Sequence, residues 1–189
     1  MLDAGVALLE EGGFEGFTIA AVCERAEVAP RALYDRADNK DALFLAVYEH
    51  GMARVRAEEM VLADDEGWEG LPAEQLARGA VHAVAGIFNR HAAFLRSVVL
   101  ISGVHPEVYR RGALYSQELG EAFTGRLLHS QLTIDHPDPE TAIRAAFNAV
   151  FSSLVLRVAY GPAFATPATD DDTFLEALGD MVQRYLFGR

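Results

Sequence analysis

Apolar residues recur at helical spacing along the whole chain, and no stretch sustains the alternation of a strand. Positions three, four and seven apart share one face of a helix, whereas a half-buried strand alternates every second residue. The first stripe, Leu2, Val6 and Leu9, predicts a helix over 2–12 that Gly12-Gly13 ends. It is already running at residue 2 with no cap before it, as expected of a trimmed start or of a chain that begins inside the helix. Phe14 and Phe17 bracket the next loop and are expected to plug a small three-helix core. Thr18 is a good N-cap, and Ile19, Val22 and Ala26 share a face of a second helix. Pro30 suits the first position of a third helix, where its missing N–H is not needed, and Leu33 must face the second. Asp38 and Asn39 stop and re-cap the chain. A long fourth helix then covers 39 to about 61, with Leu43, Val47, Arg54, Val55 and Met60 along it.

The acidic, glycine-containing stretch 63–70 reads as a loop, with its Trp68 expected to pin it down rather than to meet a ligand. Leu76, Ala80, Val84, Ile87 and Phe88 predict a helix ending near His91. Phe94, Val98 and Ile101 predict a shorter one that stops at Gly103. Pro106 starts another, with Val108, Tyr109, Leu119, Phe123 and Leu127 inward. A break at 135–139 precedes two C-terminal helices. The first, about 139–160, carries Ile143, Phe147, Val150, Phe151, Leu154, Val155 and Val158; the second, about 170–187, carries Phe174, Leu175, Leu178, Met181, Val182, Tyr185 and Leu186. Asp170 to Asp172 suit the positive end of that last helix. These stripes are wider than one packing seam needs, which predicts a four-helix interface with a second copy across a two-fold axis.

Composition narrows the class. With 189 residues, 51% of them apolar, the chain can bury a substantial core. The single cysteine, Cys23, excludes an internal disulfide and suits a reducing cytoplasm; among small residues it is expected to be a buried small side chain. The sequence shows no signal peptide, and its longest apolar stretch, 145–160, is interrupted by Asn148, Ser152, Ser153 and Arg157, so no membrane partner is expected. The net charge is −12, and residues 1–48 hold four basic residues (Arg25, Arg31, Arg36, Lys40) against nine acidic ones, a balance of −5. Phosphate contacts supply most non-specific DNA affinity, so such a head binds DNA weakly unless its cations are well placed. Arg31, Arg36 and Lys40 do cluster in or beside the third helix, and Lys40 is the only lysine in the chain.

Helix, short turn, helix is the geometry that places a second, exposed helix in a DNA major groove. The run Gly13-Phe14-Glu15-Gly16-Phe17-Thr18, then Ile19 to Ala26, Val28, Leu33-Tyr34, Asn39-Lys40 and Ala42-Leu43, resembles the N-terminal domain of TetR-type (TetR/AcrR) transcriptional regulators. The match covers roughly the first quarter of the chain at motif level; the rest agrees in length and helical character. The resemblance implies that Thr18, Tyr34 and Lys40 contact phosphates and that Pro30, Arg31 and Asp35 face base edges, with Arg31 suited to a guanine and Arg36 beside them. Related regulators usually carry a short basic arm just upstream of the first helix, and its absence from this sequence lowers the expected DNA affinity. The residue-level alternatives are a half-buried Tyr34 that holds its helix down and a merely solvated Arg31 and Arg36. Four positions depart from the family pattern. Glu27 stands where glycine is usual, Ala37 where an aromatic is common, Asp38 where proline is common, and Asp35 where many relatives carry a neutral or basic residue.

The expected architecture is all-α: a three-helix helix-turn-helix head, 1–48, joined by a long helix to a helical effector-binding and dimerisation body, 49–189. No metal-spaced histidines, nucleophile elbow, phosphate loop or dinucleotide fingerprint occurs in the sequence, so no enzyme activity and no cofactor are expected. The body offers aromatics and sparse polar groups suited to a ligand pocket: His82, Phe88, Phe94, Tyr109, Tyr115, Phe123, Phe147, Asn148, Phe151 and Ser152. The absence of a basic cluster among them argues against a strongly anionic ligand. The function expected is that of a cytoplasmic homodimeric repressor, which binds a palindromic double-stranded operator and joins through its two C-terminal helices. A small apolar or aromatic effector would modulate that binding. The alternative is a dimeric ligand-binding protein on the same scaffold whose acidic head has lost useful DNA affinity.

Overall fold

A computed structural model of the chain describes residues 1–35, 37–58, 62, 68, 70–129, 134, 136–164 and 167–188. Among them the regular structure is entirely helical. The helices are α1 (Leu2–Gly16), α2 (Ile19–Arg25), α3 (Pro30–Tyr34), α4 (Lys40–Ala57), α5 (Ala73–Arg90), α6 (Ala92–Ser102), α7 (Pro106–Leu128), α8 (Pro139–Tyr160) and α9 (Asp171–Phe187). The glycine stop expected after the first helix is a kink instead. Gly13 leaves helical geometry at φ 61°, ψ −162°, and the chain turns helically again to Gly16. Met60 and nearly all of the acidic stretch 63–70 lie outside the described residues.

Contacts group the chain into two compact units, one of residues 1–57 with 91–110 and one of 58–90 with 111–189. In the first, α1 packs on α2, α4 and α6. Its core collects the apolar stripes read from the sequence, with Val6, Leu9, Phe17, Val22, Leu33, Leu43, Phe44 and Val47 all buried. Phe44 stands at the centre, meeting Phe14 edge-on at 4.8 Å and Phe17 at 5.7 Å between ring centroids. Cys23 is buried, as its small neighbours suggested. Two polar ties fasten the unit. Ser97 Oγ donates to the Leu9 carbonyl at 2.6 Å, and His105 Nε2 lies 2.8 Å from Asp41 Oδ1.

In the second unit α5 packs on α9 and α8, and α8 packs on α9. Leu76, Val84, Ile87, Phe88, Leu119, Phe123, Ile143, Val150, Leu154, Val182 and Leu186 form its core. Asp138 caps α8 and Asp170 caps α9, each accepting from the backbone N–H and the hydroxyl of the threonine three residues on. Those bonds favour the ionised form and hold both carboxyls below the usual aspartate range. Arg157 breaks the apolar stripe of α8 in the sequence because it is a tie. It donates to Asp171 and to the Thr169 carbonyl, and lies 4.4 Å from the Phe174 ring centroid. Arg78 of α5 likewise donates to Gln183, Glu176 and Asp180 of α9. Trp68 packs near Gly79 of α5 with the Arg126 guanidinium 5.5 Å over its ring, which fits a pin rather than a ligand wall.

Two expectations change. Tyr109 is 66% exposed instead of inward, because the buried stripe of α7 passes through Val108, Tyr115 and Leu119. And α8, despite its polar interruptions, is long and apolar enough to cross a membrane by length and composition. Ala142, Ile143, Ala146, Phe147, Val150, Leu154 and Ala159 are buried within the protein, the ordinary situation of a core helix.

Gly51 marks the tightest approach in the first unit, since a Cβ there would overlap the Phe94 ring. Gly51→Ala is expected to cost about 1–3 kcal/mol by overpacking. Calorimetry should show the lowered unfolding midpoint, and pairing the change with Phe94→Leu should return part of the loss.

Candidate functional site

The turn between α2 and α3 is built by the backbone. The N–H of Val28 donates to the Cys23 carbonyl at 3.0 Å, and that of Glu27 to the Glu24 carbonyl at 3.2 Å. This is the six-to-one and five-to-two pairing that closes a helix on a left-handed residue. Glu27 is that residue, with φ 54°, the sole non-glycine at positive φ among the described residues. The family's usual glycine at this position therefore has a physical reason, and Glu27 bears a steric strain that glycine lacks.

Beyond the turn, Pro30 occupies the first position of α3. Leu33 is fully buried and holds α3 down, while Pro30, Arg31, Tyr34 and Asp35 are exposed. Tyr34 is 55% exposed. Thr18 is exposed and caps α2, its Oγ1 accepting from the Ala21 N–H at 3.1 Å. Asn39 caps α4, accepting from the Ala42 N–H at 2.9 Å, which sets Lys40 in the first turn. The Lys40 ammonium lies 4.4 Å from the Phe14 ring centroid, so its aliphatic stem is supported while the charge stays partly exposed. Arg25 is paired with Glu11 at 2.8 Å, whereas Arg31 has no ion-pair partner among the described residues. Arg36 lies outside the described residues.

The candidates for a ligand site separate. Phe147, Asn148 and Phe151 of α8 line a cleft of ≈ 190 Å³ against α7. Phe88 and Phe123 stand behind them; Phe88 meets Phe151, Phe151 meets Phe147 and Phe147 meets Phe123, each at 5.5 Å between centroids. Tyr115 is buried on α7, and Ser152 is exposed on α8. His82 is exposed on α5, 3.8 Å from Glu176. Phe94 belongs to the first unit, buried against Gly51, and Tyr109 points to solvent.

The polar half of the cleft was not singled out in the sequence. It comprises Ser116, Gln117, Glu121 and Thr124 of α7 with Arg144 of α8. Arg144 donates to both oxygens of Glu121, at 2.7 and 3.1 Å, and to Glu140. These bonds hold the Glu121 carboxyl below its usual range and raise Arg144 further. The Glu140–Arg144 spacing of four residues was a readable signal of the pair; the partner on α7 was not, since it arises from packing.

The head thus defines a helix-turn-helix protein with an exposed third helix, joined in one chain to an all-helical body. Residues 1–47 match the family described as "Bacterial regulatory proteins, tetR family". That sequence match is confined to the first 47 residues; over its whole length the chain shares the fold of TetR-like regulators of known structure. It is similar to the crystal structure of a TetR-like transcriptional regulator from Rhodococcus sp. RHA1, with 21% identity, a TM-score of 0.64, and coverage of 97% of this chain and 90% of that one. A second regulator from the same organism gives 19% identity and a TM-score of 0.69 over 98% and 92% of the two chains. The transcriptional regulator FadR from Bacillus subtilis, in complex with stearoyl-CoA, gives 15% identity and a TM-score of 0.61 over 100% and 97%. No curated protein matches the chain by sequence.

Glu27→Gly is expected to relieve the left-handed strain and stabilise the head by about 1 kcal/mol. Thermal unfolding should show it as a rise of about 2–4 °C in midpoint.

Proposed function

We propose that this protein is a cytoplasmic, homodimeric, non-enzymatic repressor that places α3 of each copy in a major groove of a palindromic operator. The observation that carries the reading is the exposure of Arg31 and Tyr34 on one short helix, and of Asp35 that caps its end, while Leu33 of the same helix is fully buried. Within it, 1–48 is the DNA-binding domain and 49–189 the effector-binding and dimerisation domain. Thr18, Tyr34 and Lys40 contact phosphates. Pro30, Arg31 and Asp35 face base edges, with Arg36 beside them.

The dimer forms through α8 and α9. Leu156 and Tyr160 of α8 and Met181 and Tyr185 of α9 are all at least 43% exposed, and large apolar side chains on two neighbouring helices support a covered face. Two copies set the recognition helices about one DNA turn apart. An effector in the body changes operator affinity only by its differential affinity for the binding and non-binding states. The stearoyl-CoA bound by the Bacillus subtilis regulator supports a small-molecule effector in general.

One observation favours a second reading. Asp35 is exposed at the C-terminal end of α3 in a head whose balance over 1–48 is −5, so a ligand-binding dimer without useful DNA affinity remains the rival. Selection from a random duplex pool, at low and then near-physiological salt, separates the two. A palindrome with half-sites about ten base pairs apart supports the repressor; no enrichment by a folded dimer at either salt supports the rival.

On the selected operator, Lys40→Ala should weaken binding to every sequence and flatten the salt dependence by roughly one phosphate contact. Arg31→Ala should cost about 1–3 kcal/mol and relax one base position. Wild-type affinity in both variants would displace α3 from the groove. Met181→Asp should yield a helical monomer in light scattering and abolish binding to the two-half-site operator; a dimer retained would move the interface elsewhere.

A further inference from the structure

We propose that the cleft between α7 and α8 takes an uncharged, single-ring aromatic molecule bearing a hydroxyl, with Thr124 as its hydrogen-bond partner. The inference rests on the reading of the body as an effector-binding domain and names the chemical class of the effector. Size comes first. The cleft measures ≈ 190 Å³. A cavity of about 150 Å³ lined by apolar side chains holds benzene, so the space is large enough for one substituted ring.

The walls select the ring. Phe147 and Phe151 line the cleft, at the middle of the row of four phenylalanines. Gly120 of α7 supplies the facing surface, and a Cβ there would stand 2.9 Å from the Phe147 ring. An aromatic guest would meet these rings in the offset and edge-on arrangements they already adopt with one another.

Charge excludes the anionic relatives of such a ring. Arg144 is the cation at the cleft, and its guanidinium is engaged by the Glu121 and Glu140 carboxylates. Two carboxylates against one guanidinium leave the rim negative, so a benzoate-like guest is repelled and finds no open donor fork.

Thr124 supplies the polar anchor. It lines the cleft, is 3% exposed, and its Oγ1 is buried with no hydrogen-bond partner. A buried hydroxyl without a partner is costly. A turn of χ1 by about 120° places the hydroxyl where the methyl stands and the methyl where the hydrogen stands, and it breaks no hydrogen bond, because Oγ1 makes none. A guest hydroxyl in the cleft satisfies that group.

The test is calorimetric titration of the full-length protein with phenol, benzoate and toluene. Phenol is expected to bind saturably and about tenfold or more tighter than benzoate. Thr124→Val keeps shape and removes the hydroxyl, so phenol should weaken by about tenfold while toluene is unchanged; Thr124→Ser should retain phenol. The valine variant should also melt no lower than the parent, because it removes an unsatisfied buried group. Gly120→Ala should push Phe147 into the cleft and weaken phenol and toluene alike. Benzoate binding as tightly as phenol, wild-type phenol affinity in Thr124→Val, or no saturable phenol binding overturns the proposal. Operator affinity with and without phenol is read separately: phenol bound through Thr124 without effect on a selected operator would overturn the effector reading and leave this site standing.

Discussion

The burial of Phe44 against Phe14 and Phe17 is the constraint on which the head depends. Helix α3 has five residues, Pro30–Tyr34. A helix that short does not persist alone in water, since nucleation fixes several residues for a single hydrogen bond. It exists because Leu33 is fully buried in the same core as Phe17, Leu43 and Phe44. The buried side chain of α3 fixes which side chains it exposes, and these are the ones the proposed reading offers to DNA. Stability and recognition are therefore properties of opposite faces of one turn and a half of helix.

The turn that aims α3 shows a local rule broken at a functional element. Glu27 occupies the left-handed position where glycine would be unstrained, and it brings a negative charge to the turn. Asn39 and Thr18 obey the capping rules on either side. Two sound caps and one strained turn leave the helix-turn-helix intact in geometry and poor in positive potential. On the proposed reading, its DNA affinity would depend more on the placement of Arg31 and Lys40 than on bulk charge.

In the body, the arginines tie helices together instead of forming an anion site. Arg78, Arg144 and Arg157 each bind carboxylates on a neighbouring helix or its leading edge. Exposed pairs of this kind contribute little stability individually. Their larger effect is on chemistry: guanidinium groups already occupied by carboxylates leave an aromatic cleft without an anion receptor.

How far the sequence carried depended on range. Local patterns determined the helices, because capping, proline placement and three-to-four spacing act over a few residues; α3 begins at Pro30, α8 spans Pro139–Tyr160 and α9 is capped by Asp170, as their signals indicated. The left-handed Glu27 was visible as a departure from glycine. Long-range pairings were not visible. The sequence could not say that Phe94 rests on Gly51 or that Glu121 meets Arg144. Nor could it say that Tyr109 turns outward while Thr124 is buried without a partner. Side-chain periodicity by itself determined which face of each helix is apolar. Only the tertiary structure decided which of those faces meet, because that choice is made by packing between residues far apart in the chain, where no local preference operates.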